Sequence, residues 1–126
     1  MKRSWLGLGL LALLLAGSVA VTGFMTRIHE DMALDLEQSA ECALLGDWEN
    51  TSLFLGRANR SWKKWAHLRS SFADHGETEA VDAALASLEI WFQTKDAVSY
   101  RAACASLGKQ VKALGEAHKL TWWNMF

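Results

Sequence analysis

Two histidines and two carboxylates are the side chains of this sequence best suited to holding a divalent metal: His75 and Glu77 in an H-x-E turn, and Glu116 with His118 further on. Imidazole nitrogens and carboxylate oxygens in a set of four suit zinc, provided the helices bring both pairs to one end of the molecule. The H-x-E spacing is also ordinary turn chemistry, in which the same groups cap helices or stand in solvent. That is the reading adopted, and no metal or cofactor is assigned. His29 and His67 read as exposed, with no evident ligand partners. Cys42 and Cys104 are the only cysteines, and outside the cytosol a disulfide between them has to be considered. For nucleophilic or phosphate chemistry the chain offers no G-x-S-x-G, H-E-x-x-H, P-loop or paired-cysteine motif. An enzyme is therefore not expected.

These groups have to be positioned by a chain whose beginning is strongly apolar. Lys2 and Arg3 precede an apolar run from Trp5 to Met25, and Arg27 and the acidic stretch Glu30 to Glu41 follow it. A helix of about 20 such residues crosses a hydrocarbon core. The cations before the run keep the N-terminus cytoplasmic by the positive-inside rule, and Trp5 suits the cytoplasmic interface. Residues 1–26 thus read as a transmembrane signal-anchor and residues 27–126 as one extracytoplasmic helical domain at the cell membrane. Ser18-Val19-Ala20 resembles a signal-peptidase site, so a product cleaved near Ala20 and secreted is the alternative; the apolar run continues past that triplet, which favours a retained anchor.

Beyond the anchor lie all fourteen acidic residues and eleven of the thirteen Lys and Arg, so the outer part is close to neutral and carries no nucleic-acid signal. Proline is absent, and Ala, Leu, Glu, Lys and Gln abound, which favours long helices. The spacing predicts an all-α fold in which the span continues as a helix from Ile28 to Leu45 through Met32, Leu36 and Ala40. Gly46 ends it, and Asp47 caps a second helix to about Ala73. A third helix covers Glu79 to Phe92. Asp96 caps a fourth, running to about Lys119 through Tyr100, Leu107, Val111 and Leu114. Short connections make these antiparallel helical hairpins of a four-helix bundle.

A second helix that long outruns the outer part of the first, so it either tilts away or breaks at Gly56. A straight second helix would put the turn between helices three and four near the level of residues 56–59. Cys104 would then lie more than about 10 Å from Cys42 along the axis, too far for a disulfide.

Trp48, Leu55, Trp62 and Trp65 share one face of the second helix and Arg57, Arg60, Lys63 and Lys64 the other. The aromatic face reads first as core. The basic face reads first as the complement of the acidic first helix, with an anionic lipid or envelope polymer as the alternative. The closing segment TWWNMF, with Trp122, Trp123 and Phe126, must dock on the domain, enter the membrane interface or meet a partner.

The segment RSWKKWAHLRSSFADHGETEAVDAALASLEIWF, the KD turn and the closing WNMF resemble a family of short bacterial proteins, domain-of-unknown-function family 4363. Trp62 and Trp65 stand in its W segment, His75 and Glu77 in its acidic turn, and Asn124 near its end. The resemblance implies a membrane span followed by helices, and no particular activity. The function expected is an interaction or structural accessory module. Its partners are the lipid bilayer and an integral membrane or envelope protein, with contacts drawn from Trp62, Trp65, His75, Glu77, His118, Trp122, Trp123 and Phe126. The alternative is a small extracytoplasmic sensory or ligand-binding domain using the His75, Glu77 and His118 group or the basic helix.

Overall fold

A computed structural model describes residues 2–65 and 75–125, and the side chains within those ranges except Thr22, His75 and residues 117–125. Among the described residues the chain is all-α: α1 (Lys2–Leu44), α2 (Trp48–Lys64), α3 (His75–Thr94) and α4 (Ala97–Met125). α1 packs most extensively on α4 and next on α2, α3 packs on α4, and α2 meets α3 only lightly.

Every helix buries one stripe spaced by three and four residues, the signature of helices meeting side by side. On α1 the stripe is Met25, His29, Met32, Leu36, Ala40 and Ala43; on α2 it is Thr51, Leu55, Ala58 and Trp62. Val81, Leu85 and Leu88 continue the core on α3, and Tyr100, Cys104, Leu107, Val111 and Leu114 on α4. The first part of α1 contributes nothing to this core. Leu6, Leu8, Leu13 and Val19 are exposed, and α1 is the one helix among the described residues long and apolar enough to cross a membrane. It runs for 43 residues, about 64 Å, from the apolar stretch into the core without interruption.

The two hairpin turns are built alike. Gly46, at φ +76°, follows α1. Its amide donates to the Ala43 carbonyl at 3.0 Å and the Asp47 amide to that of Cys42 at 2.9 Å. Those crossed bonds satisfy carbonyls that the helix end would otherwise leave open. Asp47 then caps α2, accepting from the Asn50 amide at 3.2 Å and from the Asn50 side chain at 2.6 Å. After α3, Lys95 at φ +57° takes the place of the glycine. Its amide donates to Phe92 and that of Asp96 to Trp91, both at 3.2 Å. Asp96 accepts from the Ser99 hydroxyl at 2.8 Å and the Ser99 amide at 3.2 Å, which together hold its carboxyl below the usual value. A left-handed backbone is unfavourable for lysine, but here the Lys95 ammonium sits 4.1 Å from the Phe92 ring centre and 4.9 Å from that of Trp48. Cation–π attraction offsets part of the strain.

The sequence expectations need three corrections. First, α2 ends at Lys64, with Trp65 as its cap, and passes through Gly56 unbroken; the remainder of the expected helix, residues 66–73, lies outside the described residues. Its 17 residues span about 26 Å, matching the length of α1 between the apolar run and Leu44, so neither tilting nor a break is required. Lys63 and Lys64 in its last turn complement the helix dipole there. Second, the α3–α4 turn lies beside Trp48 at the far end of the bundle, not at the level of residues 56–59, as the Lys95 contact shows. Both cysteines are free, Cys104 buried and Cys42 half-buried, but axial separation of that size is not the reason. Third, α4 stays helical to Met125 and α3 starts at His75, so each is longer than its apolar stripe suggested.

Candidate functional site

A buried polar network joins three helices about one turn in from the two hairpin turns. The Ser39 hydroxyl donates to the Thr51 carbonyl at 2.8 Å, because a carbonyl can only accept. Its single proton is thereby committed, and the Tyr100 hydroxyl, 2.6 Å away, must donate to Ser39 Oγ. Burial raises the Tyr100 hydroxyl well above its ordinary pKa, against a smaller lowering by the Ser39 bond. Burial likewise pushes the Cys104 thiol, one turn along α4, up to about 12. Both groups stay protonated and unreactive at neutral pH, so this network fixes register and offers no nucleophile.

Nearer the apolar run, His29 is buried, not exposed as its position on a single helix wheel suggested. Its Nδ1 donates to the Met25 carbonyl at 2.6 Å. The cause is α4: Gly115 has no side chain, and the point where a Cβ would stand is 3.3 Å from His29 Cβ. Beside this contact a shallow groove of about 470 Å³ is lined by Glu30, Asp31, Glu37, Lys112 and Glu116, among others. Among the described residues no group of His, Cys, Asp and Glu is arranged to hold a metal ion.

The same end carries aromatic and basic side chains from α2. Phe24 and Trp65 meet edge to face with ring centres 4.9 Å apart, and the Lys64 ammonium lies 5.3 Å from the Trp65 ring centre. Arg57 pairs with Asp35 at 3.7 Å, the one ion pair among the described residues, and stands 5.7 Å from the Phe54 ring. Desolvation raises the Asp35 carboxyl above its ordinary pKa, with Arg57 opposing. The acid–base complementarity expected between the first two helices is thus realised at this pair. Arg27, Arg60, Lys63 and Lys64 are exposed.

At the opposite end the two hairpin turns leave apolar side chains open: Leu44, Leu45, Trp91 and Val98, with Leu45 84% and Val98 75% exposed. Sequence spacing offered Leu44, with Ala43, as the last residue of the first helix's buried stripe, and it singled out none of the other three. Their signal is an apolar residue lying off the buried stripe beside each Asp cap, which a search for stripes discards.

The expected contact residues are distributed unevenly over this frame. Trp62 is buried, and its indole nitrogen donates to Asp82 on α3 at 2.6 Å, so it braces the core and presents no surface. Trp65 is half-buried at the Phe24 contact, and Glu77 is exposed in the first turn of α3. The side chains of His75, His118, Trp122 and Trp123, and Phe126 as a whole, lie outside the described residues, as does His67.

Fold and surfaces together define an all-α protein in which one helix is first an unpacked apolar rod and then the central stave of a four-helix bundle. Residues 19–125 match the family Domain of unknown function (DUF4363), and the chain belongs to it. Searches of curated proteins and of solved structures return no match.

Proposed function

We propose that the chain is a single-pass membrane protein, N-terminus cytoplasmic, whose extracytoplasmic helical domain is an accessory module binding another integral membrane or envelope protein. The observation carrying this reading is the continuity of α1: apart from Met25 and the Phe24 contact at its end, the apolar run packs on nothing described in the chain, while the rest of the helix is core. An apolar helix left unpacked by its own protein is stable only in a lipid environment or a partner. Lys2 and Arg3 before the run supply the orientation.

The partner surface is the far end, where Leu44, Leu45, Trp91 and Val98 stand about 27 Å beyond the apolar run. Large apolar groups concentrated at one end are the usual centre of an interface. Binding involves no bond chemistry.

The test is photocrosslinking in cells with the probe at Leu45 or Val98, repeated after removal of residues 121–126, together with intact-mass measurement of membrane and medium fractions. The reading expects a full-length mass in the membrane and discrete adducts that Leu45→Ser and Val98→Ser abolish. A species beginning near Val21 in the medium, or no adduct from either position, overturns it. Loss of the adducts on truncation would assign the contact to the closing segment.

A further inference from the structure

We infer that the membrane-facing end of α2 is a docking surface for anionic phospholipid headgroups of the leaflet on which the domain stands. This rests on the reading of α1 as a membrane span. The level comes from the packing of α1 and α2: Ser39 meets Thr51, Asp35 meets Arg57 and Phe24 meets Trp65. Each step down α1 is answered by a step along α2. Hence α2 ends where the apolar run gives way to Arg27, at the height where headgroups lie if the run spans the membrane.

Among the described residues, the exposed charges of α2 at that height are of one sign. From Arg57 to Lys64, RANRSWKK has four cations and no acid. Arg57 is engaged by Asp35, whereas Arg60, Lys63 and Lys64 are exposed and have no carboxylate partner among the described residues. Arg27 joins them from α1 at the same level. Of the acids at this end, Glu30, Asp31 and Glu116 border the groove between α1 and α4, Glu77 lies in the first turn of α3, and Asp82 on α3 is engaged by the Trp62 indole. Trp65 and Phe24 add an aromatic pair to the basic edge, the combination that interfacial anchoring uses. The α4 backbone, helical to Met125, continues past Gly115 toward the same end and brings the backbone of Trp122 and Trp123 with it. A lipid surface fits better than a free anion, because the cations stand in a row along one edge and, among the described residues, do not line the groove between α1 and α4.

The experiment uses the full chain in nanodiscs of phosphatidylcholine alone or with one-third phosphatidylglycerol, and measures acetylation of Lys63 and Lys64 against Lys95 at the opposite end. Anionic lipid concentrates protons and holds ammonium groups, so labelling of Lys63 and Lys64 is expected to fall about threefold, with Lys95 unchanged. Labelling should recover in 1 M salt, where the screening length is about 3 Å. Equal labelling in both discs, or protection that persists in high salt, overturns the inference. Alkaline extraction of the same chain from vesicles separates the two readings. Release overturns the membrane span itself, whereas retention with equal labelling overturns the headgroup surface alone.

Discussion

Ser39→Ala tests whether the core network is wired in the direction its chemistry dictates. Ser39 and Tyr100 are both fully buried, and Ser39 is the acceptor for the Tyr100 proton. Replacing Ser39 leaves a hydroxyl with its proton aimed at a methyl group, with the Cys104 thiol beside it only a weak acceptor. An unsatisfied buried donor costs about 1–3 kcal/mol, so about 2 kcal/mol is expected. Tyr100→Phe removes the donor together with its need, and Ser39 keeps the Thr51 carbonyl; about 1 kcal/mol is expected. In the double variant no buried proton is stranded, so it should be more stable than Ser39→Ala alone, although it lacks both hydrogen bonds. For a domain of about this size each kcal/mol moves the melting temperature by about 4–8 °C. Ser39→Ala should therefore melt some ~8–16 °C low and the double variant only about half as far below the parent. Thermal unfolding of the full chain in detergent, followed by circular dichroism, reads this directly. A double variant as unstable as the sum of the two singles would refute the wiring, because it would mean that the two hydroxyls contribute independently.

Maleimide at neutral pH should modify Cys42 and leave Cys104 untouched until the chain unfolds, as mass spectrometry of labelled peptides would show. The raised Cys104 pKa also has a sign: the folded thiol holds its proton up to about 12 while the unfolded one releases it near 9, so this contribution to stability is complete below pH 9 and is lost as pH rises through that window. Denaturant midpoints should accordingly fall on the alkaline side, less steeply in Cys104→Ala, with Tyr100 adding to the fall at the highest pH. Asp47→Ala, which removes both bonds to Asn50, should cost about 1 kcal/mol in denaturant unfolding; an unchanged midpoint would count against the cap. Gly115→Leu should destabilise by about 1–3 kcal/mol because its side chain enters the space of buried His29, and Gly115→Ala by far less, since a gain of about 1 kcal/mol in helix propensity opposes the contact. Equal melting temperatures for these two variants would show that α4 does not press on His29.

What the residues made legible in advance was periodic and local. The stripe through Met32, Leu36 and Ala40, the stripe from Tyr100 to Leu114, and the Asp47 and Asp96 caps follow from spacing and side-chain length, and the helices formed accordingly. Lengths were not legible. The apolar face of the second helix reads on to Phe72 on a wheel, but α2 stops at Lys64, where the exposed part of α1 also begins. A wheel carries no information about where a neighbouring helix ceases to be covered. His29 failed for a related reason: whether a residue on α1 is exposed depends on how far α4 runs, and α4 continues past its own apolar stripe. Of the expected contact residues, Trp62 was visible as an aromatic face but not as a donor to Asp82, since that bond joins helices with no sequence relation. Of the open side chains at the two turns, Leu44 fitted the stripe of the first helix as well as Ala43 did, and it is Ala43 that is buried; Leu45, Trp91 and Val98 lie off the stripes and were missed.

The uninterrupted α1 makes the molecule a lever. Between the apolar run and Leu44 there is no linker to absorb motion, and α2 and α4 brace the shaft along that length. On the proposed reading of the apolar half as a membrane span, a lean of 10° in the bilayer carries the far end sideways by about 5 Å over its ~27 Å arm, and rotation of the shaft turns Leu45 and Val98 through the same angle. Changes in bilayer thickness or in the packing of the span against a neighbour would thus arrive at the far end as displacement rather than being lost in a flexible joint. Inserting a few glycines near Arg27 would leave the bundle's core intact and uncouple the two ends.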